Sequence, residues 1–201
     1  MNQVRKAAVA AALALFVSPS FAQSALGGPD SAWYVGASVG QSKSPDFCGL
    51  AFGFGTCDGT DTAYGIFAGY KVNKNLAMEF GYHQLGDVSL NAPGTTLTFK
   101  TETYDLVALG MLPVADRLAL YGKLGIYYGK VKGSTNIPGS GISGAGNDLT
   151  YGVGGQYDIT DTLGIRLEWQ KYNNVPVASF IGIPLSIGYE VTNLAAIWRF
   201  K

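Results

Sequence analysis

From Trp33 onwards the chain alternates. Trp33, Val35, Ala37 and Val39 fall on one side of an extended backbone, with Tyr34, Gly36, Ser38 and Gly40 on the other. A period of two belongs to a β-strand whose faces meet different surroundings. Seven further stretches repeat the pattern, at about 61–71, 76–88, 99–112, 118–132, 148–159, 163–175 and 188–200, each of ten residues or more. Globular strands usually have about five or six residues, whereas a tilted strand crossing a bilayer needs roughly 9 to 11. The connections alternate as well. Those at 72–75, 113–117 and 160–162 are tight turns, and those at 43–60, 89–98, 133–147 and 176–187 are long and rich in Gly, Pro, Ser and Asn. Short at one end and long at the other is the topology of an outer-membrane barrel, with turns in the periplasm and loops outside the cell. An even count of eight strands leaves both termini on the periplasmic side.

The faces differ sharply. In 118–132, Leu118, Leu120, Leu124, Ile126 and Tyr128 oppose Ala119, Tyr121, Lys123, Gly125 and Tyr127. In 163–175, Ile165, Leu167 and Trp169 oppose Arg166, Glu168 and Gln170; in 76–88, Met78, Phe80 and Tyr82 oppose Glu79, Gly81 and His83. A soluble lipocalin-like barrel would carry the same alternation turned inside out, and period alone does not choose between them. Strand length, loop alternation and aromatic placement weigh for the membrane. On the apolar face, Trp33, Tyr70, Tyr157, Trp198 and Phe200 gather toward one rim, and Tyr64, Tyr82, Tyr128 and Tyr151 toward the other, with Trp169 on the same face. Two such clusters fit interfacial girdles. The expected fold is all-β, an eight-stranded antiparallel transmembrane up-and-down β-barrel over 32–201.

Composition removes alternatives. With 47% apolar residues and two cysteines, the chain is neither disordered nor a disulfide-dense miniprotein. Beyond Phe16 no window approaches the roughly 18 to 20 apolar residues of a spanning helix. Fourteen basic and fourteen acidic residues with one His give no basic stripe for nucleic acid and little material for a metal site, so neither metal nor cofactor is expected. Ahead of the strands, Arg5 and Lys6 precede an apolar run over 7–17 and then Ser18-Pro19-Ser20-Phe21-Ala22. That is the build of a signal peptide over 1–22, followed by a linker over 23–31. Its run of 11 residues makes about 16 Å of helix, too short to span hydrocarbon about 30 Å thick. Cys48 and Cys57 lie in the exported part without Cys-x-x-Cys spacing or a neighbouring His, and a local disulfide is the economical reading.

Six segments in order carry a resemblance: Trp33-Tyr34-Val35-Gly36-Ala37, Gly69-Tyr70-Lys71-Val72-Asn73, Glu79-Phe80-Gly81-Tyr82 with Leu85-Gly86, Leu112-Pro113-Val114, Arg166-Leu167-Glu168-Trp169 with Asn173-Asn174, and Trp198-Arg199-Phe200. Together they resemble the transmembrane domain of the OmpA family of outer-membrane barrels. The resemblance implies residence in a Gram-negative outer membrane, a role in envelope integrity, and surface loops open to adhesion or phage contact. It further implies lipid and lipopolysaccharide surroundings, and biogenesis through periplasmic chaperones and the barrel-assembly machinery. Many family members continue into a peptidoglycan-binding domain; this chain stops one residue after Phe200, so wall binding is not carried over. The alternation Thr192, Leu194, Ala196, Trp198, Phe200 resembles the C-terminal assembly signal and is at the same time the lipid face of the last strand.

The polar faces would line the lumen with Glu79, Asp105, Lys123, Arg166 and Glu168, and with Tyr121, Gln156 and Asn193 nearby. An eight-stranded interior is just wide enough for side chains to fill. An isolated charge there costs several kcal/mol, so opposite charges should pair into a plug. The resemblance implies that Glu79 and Arg166 hold the positions of a family salt bridge that swaps partners to gate a small conductance. The positions of the swap partners carry Leu109 and Gln156 here, leaving Lys123 and Glu168 as substitutes. A gated small-solute channel is therefore the alternative function. A surface lipid-modifying enzyme stands third: it would need His83 with Ser38 or Asp87, which no motif places, and the expectation is no enzyme.

Overall fold

The computed structural model describes residues 32–45, 56–92, 95–135, 142–180 and 183–200. The signal peptide and linker expected over 1–31 lie outside these residues, as do Cys48 and the side chain of Cys57. The strands are β1 (Ala32–Lys43), β2 (Thr56–Asp58), β3 (Thr60–Asn73), β4 (Leu76–Ala92), β5 (Thr95–Ala115), β6 (Leu118–Thr135), β7 (Ile142–Asp158), β8 (Leu163–Phe180) and β9 (Ile183–Arg199). β2 prolongs β3 along the edge of β4, so the nine strands make eight staves. Every pairing is antiparallel, and the β1–β9 and β4–β5 ladders close the sheet into a barrel.

Closure leaves no edge from which a strand can be peeled, and every rung is satisfied inside the wall. The unboiled barrel should therefore migrate differently from the boiled chain on an SDS gel. Equal mobility would contradict the closed ladder.

Local chemistry makes the turns. The Asn73 side chain accepts the Asn75 N–H at 2.8 Å, and the Thr160 hydroxyl accepts the Leu163 N–H at 2.9 Å. The other ends differ from the sequence reading. Segments 89–98, 133–147 and 176–187 read as long loops, yet much of each is ladder: Ser89 faces Thr98, Ala92 faces Thr95, Gly133 faces Ile142, and Phe180 faces Ile183. In 89–98 and 133–147 small and polar residues predominate, and in 176–187 apolar residues follow one another, so the alternation that marks a strand loses contrast. The backbone groups continue to pair regardless of the side chains.

The wall is apolar outside and charged inside. Leu124, Leu167 and Ile66 are 60%, 61% and 62% exposed, while Glu79, Asp105 and Arg166 are 3%, 2% and 2% exposed. A band of that kind belongs in hydrocarbon, and it removes the lipocalin-like inversion. Aromatic rings edge it. Trp33 packs on Tyr70 at 4.9 Å toward the turns, where Tyr157, Trp198 and Phe200 are also exposed. Toward the hairpins Tyr82 packs on Tyr104 at 5.0 Å and Tyr151 on Trp169 at 6.0 Å, with Tyr64 and Tyr128 exposed.

Among the register shifts along the ladders, two sit at left-handed residues and break the strict alternation. Gly86 (φ 80°) and Asn174 (φ 48°) adopt left-handed backbone that suits these two residue types. Each shifts the parity by one, so Leu85 and Val88 both point inward, and so do Tyr172 and Val175. The lumen is consequently capped by apolar clusters: Leu85, Val88, Phe99, Val131, Ile187 and Tyr189 toward the hairpins, and Ala77, Val107, Leu109, Met111 and Ile197 toward the turns.

Candidate functional site

Between those caps lies a charged layer built by residues alternating along β4, β5, β6 and β8. Arg166 donates to Glu79 at 2.6 Å through one terminal nitrogen and to Gln156 at 3.0 Å through the other. Its guanidinium carbon stands 4.9, 5.2 and 6.0 Å from the ring centres of Tyr121, Phe67 and Tyr34, a cation enclosed by π faces. Its Nε is buried without a hydrogen-bond partner. Lys123 donates to Glu168 at 2.7 Å. The two tyrosines complete the carboxylates: Tyr34 donates to Glu79 at 2.7 Å, and Tyr121 donates to Glu168 at 2.5 Å.

Those tyrosines lie flat because glycine leaves them room. A Cβ at Gly69 would enter the Tyr34 ring, and one at Gly154 would meet the Tyr121 hydroxyl. The glycine-rich strands thereby permit the aromatic reach that satisfies the charges.

Asp105 is held differently. Gln170 and Tyr172 each donate to its Oδ2 at 3.0 Å, and His83 Nε2 stands 3.4 Å from the same oxygen. Gln170 also donates to Thr150 at 2.9 Å. Asp87 is no partner of His83: the Gly86 bulge turns it outward, where Lys100 lies 3.3 Å away. Ser38 and His83 do border one cavity, together with Glu79, Asp105, Lys123 and Glu168. Its volume of about 10 Å³ is at the lower limit for one water. Nothing of substrate size fits there. Among the described residues no group of three or more His, Cys, Asp or Glu is placed to hold a metal ion.

A polar, paired lumen inside an apolar closed wall is the build of a small outer-membrane barrel, and residues 29–200 match the family model of the OmpA-like transmembrane domain. The chain belongs to that family. Outer membrane protein A of Salmonella typhi is 32% identical over 183 residues, covering 89% of this chain and 51% of that protein. The protein of the same name from Shigella flexneri is 32% identical over 201 residues, covering 98% of this chain and 56% of its own length. The chain thus spans about half the length of these relatives. Among solved structures, Neisserial surface protein A superposes with a TM-score of 0.61 at 16% identity over 84% of this chain and 97% of that one, a likeness of fold alone. Membership of the OmpA-like family places the barrel in the bacterial outer membrane.

In this OmpA-like barrel all five charged residues singled out from the sequence are buried in one layer, and they fall into two ion pairs and one carboxylate held by neutral donors and His83. Leu194, Trp198 and Phe200 face outward near the end of the chain. Sequence reasoning left out the aromatic enclosure by Tyr34 and Phe67 and the clamp of Gln170, Tyr172 and Thr150. The signal was available for part of it: Arg166, Glu168, Gln170 and Tyr172 share one face of β8 by simple alternation.

Proposed function

We propose that this OmpA-like barrel is a non-enzymatic structural protein of the outer membrane whose lumen is a closed plug. The observation that carries the reading is the lumen itself, where paired charges lie between two apolar caps and two small voids beside them each take about one water. In the same reading the segment 1–22 is removed on export, Cys48 and Cys57 form a disulfide, the turns face the periplasm, and the long hairpins stand outside the cell for adhesion or phage contact. Periplasmic chaperones and the barrel-assembly machinery deliver it, with Leu194, Trp198 and Phe200 as the signal. Lipopolysaccharide and phospholipid surround it.

Single-channel recording of the folded barrel in a planar bilayer tests the plug. The expected trace is silent at neutral pH. Steady or frequent openings of the unaltered protein would replace the plug by the second reading, a gated small-solute channel. One observation favours that reading: both ion pairs border the same cavity, so Arg166 has Glu168 as well as Glu79 within its surroundings.

A further inference from the structure

Above the closed wall the sheet forks. β7 runs from Ile142 to Asp158, and its ladder with β6 continues unbroken up to Ile142 opposite Gly133. Its ladder with β8 stops well short of that, at Thr150 and Tyr172. From there β8 continues with β9 alone, from Val175 opposite Ile187 to Phe180 opposite Ile183. The bulge at Asn174 makes the fork, and side chains close its base. Asn173 Nδ2 donates to the Leu149 carbonyl at 3.2 Å, and Asn174 Nδ2 donates to the Asp148 carboxylate at 2.8 Å. Asp148 also accepts the Leu149 N–H at 2.8 Å.

Beyond that base one edge of β7 is open. Backbone groups along a strand point alternately to one neighbour and to the other. The Asp158 N–H donates to the Arg117 carbonyl on the β6 side, the Leu149 carbonyl faces β8, and no register shift interrupts the β6 ladder. The N–H and C=O of Ser143, Ala145 and Asn147 therefore point into the fork, and among the described residues no strand pairs with them there. Exposed edges are usually blunted by proline, lysine or a bulge. Pro176 and Pro184 stand on β8 and β9, whereas β7 carries none of these devices from Ile142 to Leu149. Ser143, Ala145 and Asn147 are exposed, and Asn147 stands opposite Tyr128 of the outer girdle, so the open edge runs on past the apolar belt.

What completes such an edge is a second extended backbone, because only a strand repeats N–H and C=O at the same interval. The neighbouring strand selects its side chains. On the outer face Lys132 stands beside Ser143, and Lys130 beside Ala145. An added strand would lie about 10 Å from β6, two strand spacings away, and a lysine side chain covers much of that distance over residues as small as Ser and Ala. Lys132 is exposed, and among the described residues no carboxylate is within ion-pair distance of it. Acidic side chains at the outward positions of the added strand would meet that charge.

We propose that the edge of β7 from Ser143 to Asn147 docks an extended acidic segment of a partner polypeptide, which joins the sheet as a further strand. The site rests on the reading that the hairpins stand outside the cell for adhesion, and it names the class of partner. Amide hydrogen exchange of the barrel in micelles, read by NMR, tests the edge itself. The N–H groups of Ser143, Ala145 and Asn147 should exchange about tenfold faster than those of Gly144 and Gly146, which face β6. Equal protection would overturn the open edge. A short peptide alternating Thr and Glu should slow the three edge amides about tenfold and leave the two glycine amides unchanged. The fully N-methylated peptide should not bind. Ala145→Pro removes one N–H that faces the fork and keeps the β6 ladder, and it should weaken the acidic peptide about tenfold. Lys132→Gln should weaken it about two- to fivefold, the range of an exposed ion pair. Undiminished binding of the N-methylated peptide, or by Ala145→Pro, would overturn strand addition. A peptide with Lys in place of Glu binding as tightly would overturn the acidic partner. A peptide-free dimer in sedimentation that Ala145→Pro dissolves would give the edge to a second copy and overturn the proposal. Heat-modifiable mobility checks the fold of each variant, and should Ala145→Pro not fold, the N-methylated peptide decides. An antibody to a tag inserted after Gly139 reads placement separately: unstained intact cells would overturn the outward hairpins and not the edge.

Discussion

Glu79→Ala is expected to destabilise the barrel by about 3–5 kcal/mol, the range for breaking a buried ion pair from one side. The substitution strands a guanidinium that cannot shed its charge, with Gln156 as its remaining side-chain acceptor and Nε already unpartnered. Arg166→Ala should cost less. Glu79 keeps the Tyr34 hydroxyl as a donor, whereas the guanidinium already has an unpartnered Nε. Removing both leaves no charge of this pair unmatched, so the double variant should fall short of the sum by about 1–3 kcal/mol, the coupling of residues in one network. Urea unfolding in lipid vesicles, run as a double-mutant cycle, measures it. Additivity within about 0.5 kcal/mol would mean that the pair carries no coupling, and Lys123 with Glu168 would be the next pair to examine.

Leu124→Arg should cost about 2–4 kcal/mol, the value for a cation on the lipid face near the bilayer midplane. Leu124 lies on β6 between Gly122 and Ile126 on the outward face, opposite Ala108, and is 60% exposed. The residue before it is Lys123, a basic side chain accommodated because the alternation turns it inward onto Glu168 at 2.7 Å. Two adjacent positions thus differ only in the side of the wall they face. The same unfolding measurement applies. A cost near zero would mean that the outer band does not meet hydrocarbon.

Much of this architecture is legible one residue at a time. Side chains on an extended backbone point alternately to opposite sides without help from any partner, so Glu79, Lys123, Arg166 and Glu168 declare a shared inward face as soon as their strands are recognised. The tight turns are equally local, since Asn73 and Thr160 bond within a few residues of themselves. Hairpin length was not legible. Past the belt, polar and apolar residues no longer alternate regularly along 89–98 and 176–187, and the ladder that holds these segments depends on the opposite strand alone.

Pairing was also beyond a linear reading. Glu79 and Arg166 are 87 residues apart, and they meet because the stagger of the closed barrel sets β4 and β8 at the height where one long side chain crosses the interior. The bulges at Gly86 and Asn174 each offset the alternation by one residue, which sends Asp87 out to Lys100 while His83 turns to Asp105. Inside against outside, the question that separates a soluble barrel from a membrane one, was decided by closure. The sequence by itself determined which residues share a face, because that follows from the covalent geometry of each strand. Which face encloses the lumen and which charges meet there depended on contacts between strands far apart in the chain, and those exist only once the barrel has closed.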